Sequence, residues 1–146
     1  IGWTMVETKS DLPGAPNELS FYAPESCWTD SSTLLRRYTL RLDGFVSVNA
    51  SMNGGTMVTK AFTFKGTALH LNFSAAAAGS ILIEIQDIEG NPIPGFRLEE
   101  CDEVFGDTVE RRISWKNNYN VSSLQGLPVR LKFVMKDADL YSFIFK

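Results

Sequence analysis

The sequence predicts an all-β fold, an antiparallel two-sheet β-sandwich that is jelly-roll-like and carries an N-terminal hairpin segment. Three observations lead to this fold class. Apolar and polar residues alternate along most of the chain, helical periodicity is almost absent, and the connecting segments are short and rich in Gly, Pro, Asn and Asp. Connectors this short cannot form helical crossovers, so neighbouring strands are expected to run antiparallel.

Two segments alternate most clearly. In "SILIEIQD", residues 80–87, three isoleucines at every second position define one apolar face. In "PVRLKFVMK", residues 128–136, a second apolar face alternates with Arg and Lys. Each segment is therefore expected to form a strand with one buried face, and the core is expected to contain Ile83, Phe96, Leu131, Phe133 and Phe143.

Further strands are predicted where β-branched and aromatic residues stand between turn-forming residues, which gives about nine strands in all. In chain order these segments are "ELSFYA", "LLRRYTLRL", "FVSVNA", "TMVTKAFTF", "ALHLNFS", "VERRISW" and "DLYSFIF". The alanine run "SAAAAGS", residues 74–80, is too short to nucleate a stable helix, so a loop or a single turn is expected there.

Charge and composition restrict the partners that this chain can be expected to bind. Its 146 residues carry 14 basic and 17 acidic side chains, a formal charge of -3, which predicts neither a nucleic-acid nor a membrane partner. No apolar run approaches the roughly 20 residues of a membrane span, and the first residues do not resemble a signal peptide. The chain is expected to be soluble and to begin within a longer protein. Cys27 and Cys101 form either one bridge or two unrelated thiols.

The acidic segment from 85 to 107 has three interpretations. Alternation predicts that a strand ends at Asp87, that residues 89–91 turn the chain, and that Pro92 and Pro94 hold it extended so that Phe96 enters the core. This turn interpretation is preferred. A calcium site is the second possibility, with four candidate ligands, Asp102, Asp107, Asp137 and Asp139. The last pair is expected to cap a turn. A pair of catalytic carboxyls is the third.

The sequence lacks the residue patterns that other kinds of catalysis require. His70 is the only histidine, and its place between apolar neighbours on a strand turns it away from the core. No serine lies in a nucleophile elbow, and no glycine-rich phosphate loop joins a strand to a helix. No cofactor and no enzymatic activity are expected.

Two groups of aromatic residues remain as candidate interaction sites. The first combines rings with polar neighbours that suit sugar hydroxyls, and consists of Trp115, Lys116, Asn117, Asn118 and Tyr119. The alternative is that Trp115 packs inward while the Asn residues turn the chain. The second group, Trp3, Tyr22 and Trp28, is a candidate interface near the N-terminal end.

Several phrases of the sequence resemble the C-terminal region of family 32-type glycoside hydrolase-like proteins. They are "LRRYTLRLDGFVSV" (35–48), "VTKAFTFKG" (58–66), "AGSILIEIQDIEGNPIPGFRLEECDEVFGD" (78–107) and "LPVRLKFVMKDADLYSFIF" (127–145). Proteins of that family carry a five-bladed β-propeller followed by a β-sandwich. The resemblance implies that residues 1–42 are similar to the end of the propeller and that residues 43–146 form the sandwich.

The resemblance also implies what this chain is expected to do. The catalytic carboxylates of that family lie in the propeller, upstream of anything present here, so the chain is expected to be a non-catalytic accessory domain. Two roles stay open: a carbohydrate-associated module that binds a glycan weakly, or a structural domain that docks on a propeller domain or on another copy as a homo-oligomer. A bacterial, secreted or periplasmic protein is expected.

Overall fold

The computed structural model describes residues 4–26 and 33–146. These residues form two antiparallel sheets without an α-helix, so the prediction of an all-β, two-sheet fold is confirmed. The chain divides into two compact units, Ile1–Val46 and Ser47–Lys146, where the sequence predicted a boundary after Leu42.

The first unit contains a three-stranded antiparallel sheet. Strands β1 (Val6–Thr8), β2 (Glu18–Glu25) and β3 (Leu34–Arg41) lie in the order β1-β2-β3. The β2–β3 hairpin agrees with the predicted segments "ELSFYA" and "LLRRYTLRL", whereas the short strand β1 was not predicted.

One arginine connects all three strands of this sheet. The Arg37 guanidinium on β3 donates to the Ser20 hydroxyl and the Glu18 carboxylate on β2, and to the Thr8 hydroxyl on β1, at 2.7–2.9 Å. It also donates to Asp11 in the turn between β1 and β2 at 2.8 Å. This face of the sheet is therefore held by polar contacts.

The second unit is a five-stranded sheet built on one long strand pair. Its strands are β4 (Val48–Ala50), β5 (Gly55–Val58), β6 (Leu69–Gln86), β7 (Asp107–Arg112) and β8 (Arg130–Phe145). Short 3-10 helices span Leu98–Glu100 and Ser122–Leu124. The strand order is β4-β8-β6-β7, and β5 also pairs with β8. Because β6 pairs with β8 from end to end, these two strands carry most of the core.

The alanine run lies inside strand β6, so the expectation of a loop or a turn there was wrong. Ala75 pairs with Ala138 and Ser80 pairs with Lys136, so the four residues 76–79 of β6 lie opposite the single residue Asp137. Extra residues of this kind form a bulge, which bends a strand without ending it. The run has few side-chain atoms, and this allows the β6 backbone to pass close to β8 at the bend.

Strand β8 likewise merges two segments that were predicted as separate strands. The residues of β8 that face the core have odd numbers up to Met135 and even numbers at Ala138 and Leu140. From Phe143 onward the core-facing residues have odd numbers again. At each change of parity the register between β6 and β8 shifts, and this shift keeps the apolar face turned inward. The expected turn at Asp137 and Asp139 was therefore wrong, because both residues lie within the strand.

The core of the second unit agrees with the predicted one. Ile83, Leu131 and Phe133 are fully buried, Phe96 is nearly so, and Phe143 is partly buried against them. The Phe96 carbonyl accepts from the Ile85 N–H at 3.0 Å, so the Pro-Ile-Pro-Gly turn delivers Phe96 onto β6 as predicted.

Candidate functional site

Trp115 is a core residue and cannot stack on a sugar. Its side chain is 1% exposed, and its indole Nε1–H donates to the Ile83 carbonyl at 2.9 Å. Phe96 packs edge-on against the ring, with the two centroids 5.2 Å apart. The inward alternative for Trp115 is therefore correct, and its candidate role in sugar binding is wrong.

The polar residues after Trp115 form a tight turn. Trp115 and Asn118 exchange backbone hydrogen bonds, and both residues between them have positive φ, 50° at Lys116 and 62° at Asn117. Asn tolerates this left-handed conformation better than most residues. The Lys116 ammonium lies 3.0 Å from a carboxylate oxygen of Glu100. These side chains thus serve the turn, and the candidate sugar site of residues 115–119 is not assembled as a unit.

The carboxylates of the acidic segment hold the loop together. Asp87 accepts from the backbone and the side chain of Asn91, and these bonds lower the pKa of Asp87. Glu100 accepts from Lys116 and from two backbone N–H groups, and its pKa is lowered, chiefly by Lys116. The Ser114 hydroxyl and the Asn117 N–H donate to Asp102 and lower its pKa. The turn interpretation is therefore supported for these residues.

The four aspartates proposed as calcium ligands have separate surroundings. Asp139 accepts from the Ser47 hydroxyl at 2.7 Å and from the Asn49 amide at 3.1 Å, while Asp102 is bound to the 114–117 turn. Asp107 begins strand β7, and Asp137 lies on β8 opposite the β6 bulge. Across residues 4–26 and 33–146, no group of three or more His, Cys, Asp or Glu side chains could hold a metal ion.

Tyr119 is the candidate ring that does reach solvent. It is 37% exposed, and the guanidinium carbon of Arg112 lies 3.9 Å from the centroid of its ring. The pair separates two shallow clefts. One, of about 240 Å³, is lined by Thr67, Ala68, Arg112, Tyr119 and Asn120. The other, of about 290 Å³, is lined by Arg111, Arg112, Ser114 and Tyr119.

Sequence reasoning missed Arg112, although a signal for it was present. In "VERRISW" the residues Ile113 and Trp115 share one parity and are buried, which turns Arg112 towards the other face. Arg112 pairs with His70 on β6, so its guanidinium belongs to the outer face of the sheet beside the turn that carries Tyr119.

The first unit has a second candidate surface, an apolar face with no buried apolar residue. Phe21 on β2 and Tyr38 on β3 are directly paired, and their rings stack with centroids 5.2 Å apart. Leu19 and Leu40, the next pair on the same face, are also only partly buried. We call these four residues the Phe21–Tyr38 face. Ser20 is the only buried residue among the described part of this unit.

The predicted interface group is only partly covered by the structure. Tyr22 is 42% exposed and pairs with Arg37, so it belongs to the polar face of the sheet, opposite the Phe21–Tyr38 face. Trp3 and Trp28 lie outside the described residues, as does Cys27. Alternation in "ELSFYA" and "YTL" was the available signal for the apolar face, and it points to Phe21 and Tyr38.

Comparison with protein-family models, curated proteins and solved structures finds no match for this chain. The resemblance to family 32-type glycoside hydrolase-like proteins therefore stays a prediction. Within the described residues, no helix is long and apolar enough to cross a membrane.

Proposed function

We propose that this chain is a non-catalytic accessory β module of a carbohydrate-active protein, and that its first sheet docks on a neighbouring β-propeller domain through the Phe21–Tyr38 face. The observation that carries the proposal is the lack of any buried apolar side chain among the described residues of the first unit. A sheet with one apolar face normally buries that face against a second layer.

Docking through this face would gain free energy from the two stacked rings. Phe21 and Tyr38 are neither buried nor fully exposed, so a partner would remove further ring surface from water. Removing about 50 Å² from each ring is worth roughly 1.2 kcal/mol per ring. The polar contacts of Arg37 lie on the opposite face and do not cover these two rings.

The choice of a propeller as the partner rests on the sequence resemblance. The segment before residue 43 is similar to the closing strands of a propeller, and these are the residues that form the three-stranded sheet. Propeller blades are themselves antiparallel sheets stacked face to face around an axis. A sheet with one apolar face suits such a neighbour.

The test compares two adjacent rings on opposite faces of the same strand. We expect a propeller domain of the family 32 type, supplied as a separate chain, to co-purify with this chain. Phe21→Asp should abolish the complex, whereas Tyr22→Asp should preserve it. Hydrogen exchange at β2 and β3 checks that both variants keep the sheet.

Three results would contradict this proposal. In the first, no complex forms and the chain stays monomeric at high concentration. In the second, Phe21→Asp and Tyr22→Asp weaken the complex equally. In the third, sedimentation reveals a dimer that Phe21→Asp dissociates and Tyr22→Asp does not. The partner of the Phe21–Tyr38 face would then be a second copy of the chain and not a propeller.

A second candidate function, weak glycan binding, is favoured by the exposure of Tyr119 beside the Asn120 amide in an open cleft. Arg112 covers one face of the ring, so a sugar would contact the remaining ring surface and the cleft floor. Shallow contacts of this kind correspond to a Kd on the order of 0.1–1 mM. A glycan array followed by titration of Tyr119→Ala checks it, and a blank array would exclude it.

A further inference from the structure

We propose that the cleft lined by Thr67, Arg112, Tyr119 and Asn120 binds the carboxylate of an acidic sugar, so that a uronate is preferred over its neutral counterpart. This inference deepens the second candidate function and rests on it for the location of the ligand. It is independent of docking by the first sheet.

The position of Arg112 favours a carboxylate ligand. Because the guanidinium carbon of Arg112 lies over the Tyr119 ring, 3.9 Å from its centroid, the position of the guanidinium is restricted before any ligand arrives. A guanidinium presents its N–H donors in a planar fork that matches the two oxygens of a carboxylate. Less conformational entropy is therefore lost when such a ligand binds.

The charge of Arg112 also favours an anionic ligand. Among the described residues, no carboxylate forms an ion pair with Arg111 or Arg112. The nearest acidic residue in sequence, Glu110, is held by Lys146 at 2.8 Å and lies 3.3 Å from the Nδ1 atom of His70. Because neither arginine has an acidic partner among the described residues, an anion from outside is favoured.

The polar groups around the cleft also favour a ligand with hydrogen-bond acceptors. No acidic residue lines it. The Asn120 Oδ1 atom accepts from the Ser122 N–H at 2.8 Å, which leaves the Nδ2 group as a donor. Arg112 and Asn120 together present donors to an acceptor-rich ligand. The volume of about 240 Å³ is smaller than a drug-sized pocket, so it suits a single sugar residue.

The neighbouring cleft is less suited to an anion. Ser114 lines it, and the Ser114 hydroxyl donates to the carboxylate of Asp102, so a negative charge lies directly behind this wall. Arg111 lines this second cleft and not the first. Arg111 therefore offers a matched control, because its loss removes the same charge from an adjacent residue.

The experiment titrates the full chain with glucuronate and galacturonate, and with glucose and galactose as neutral counterparts, under observation by NMR. We expect the uronates to shift the signals of Tyr119 and Arg112, with a Kd on the order of 0.1–1 mM, as expected above for weak glycan binding. The neutral sugars should bind at least about tenfold more weakly. Arg112→Gln should weaken uronate binding about tenfold or more, and Arg111→Gln less than about twofold.

Each other result overturns a defined part of the proposal. Equal binding of neutral sugars and uronates would remove the carboxylate preference and leave glycan binding in place. If none of the four sugars bound, both the carboxylate preference and glycan binding by this cleft would be excluded. Competition by inorganic phosphate at equal concentration would reduce the cleft to a general anion site. An equal loss in Arg111→Gln and Arg112→Gln would mean that only the net positive charge matters.

Discussion

Arg37 contributes more to the first sheet than its partial exposure suggests. Its guanidinium contacts side chains on both other strands of the sheet and in the turn before β2. We expect Arg37→Lys to lower the local stability of this sheet by about 1–2 kcal/mol, because one ammonium cannot replace a forked set of donors. Hydrogen exchange of the β2 and β3 amides measures this loss.

The control for Arg37 is its neighbour in the chain. Arg36 pairs with Glu25 at 2.9 Å and its side chain is 59% exposed, so Arg36→Lys should change the same exchange rates very little. Equal effects of the two substitutions would mean that the polar face does not depend on the geometry of Arg37.

Cys101 is expected to be chemically inert in the folded protein. It is a free cysteine, and burial raises the pKa of its thiol to about 11, so almost no thiolate is present at pH 8. In a Cys27→Ser variant, where only this thiol remains, an aromatic disulfide reagent should react only as the chain unfolds. Complete reaction within the mixing time under native conditions would contradict this prediction.

At the scale of residues, the sequence predicted the core better than the site. Ile83, Leu131 and Phe133 are buried as predicted because alternation directly reports which face a strand residue occupies. Trp115 was harder to assign, since the polar residues after it suggested a binding loop. Those residues are required by a turn with positive φ, which the composition alone could not distinguish from a ligand site.

At the scale of elements, the bend of the β6–β8 pair depends on Gly79. A Cβ atom at this position would lie 2.3 Å from the Asp137 carbonyl oxygen and 2.8 Å from that of Lys136, both of them backbone atoms. Gly79→Ala should therefore lower the free energy of unfolding by roughly 2–4 kcal/mol, measured from urea denaturation.

Gly95 separates this steric effect from the general effect of replacing a glycine. It has a φ of +90°, but nothing lies within 4 Å of its Cβ position. Gly95→Ala should cost only about 1 kcal/mol of backbone strain. If the two alanine variants were equally stable, close approach of β6 to β8 could not be the reason for a glycine at position 79.

The elements that sequence reasoning missed are those that depend on a partner strand. Nothing within "SAAAAGS" indicates that Ala75 and Ser80 pair with Ala138 and Lys136, which are only two positions apart, across a bulge. The register shift between Met135 and Ala138 also depends on β6, which is why two predicted strands proved to be one. Alternation identifies strands, but long-range pairing decides where each one ends.

At the scale of the whole molecule, we expect stability to fall in two steps as the pH is lowered. Burial is the main cause that lowers the pKa of His70 below its unfolded value of 6.5. Because the folded state then binds fewer protons, stability is complete above pH 6.5 and decreases as the pH falls towards the folded pKa. The second step begins below about pH 4, where Asp87, Glu100, Asp102 and Glu110, all with lowered pKa values, lose their hydrogen bonds on protonation.

Urea midpoints measured from pH 8 to pH 3 check both steps. His70 is the only histidine of the chain, so His70→Gln should abolish the first step and retain the second. A variant that kept the decline between pH 7 and pH 5 would show that another group titrates in this range.

The pairing of β6 with β8 also determines how this chain can fold. Leu69 pairs with Phe145 and Ile85 pairs with Leu131, so the two strands that carry most of the core meet only after a long intervening segment has closed into a loop. Closing such a loop costs conformational entropy before the apolar contacts between the two strands have formed. This raises the free-energy barrier and makes folding slow for a domain of this size. During that delay the alternating apolar strands remain open to pairing with other chains, so refolding yield should depend strongly on protein concentration.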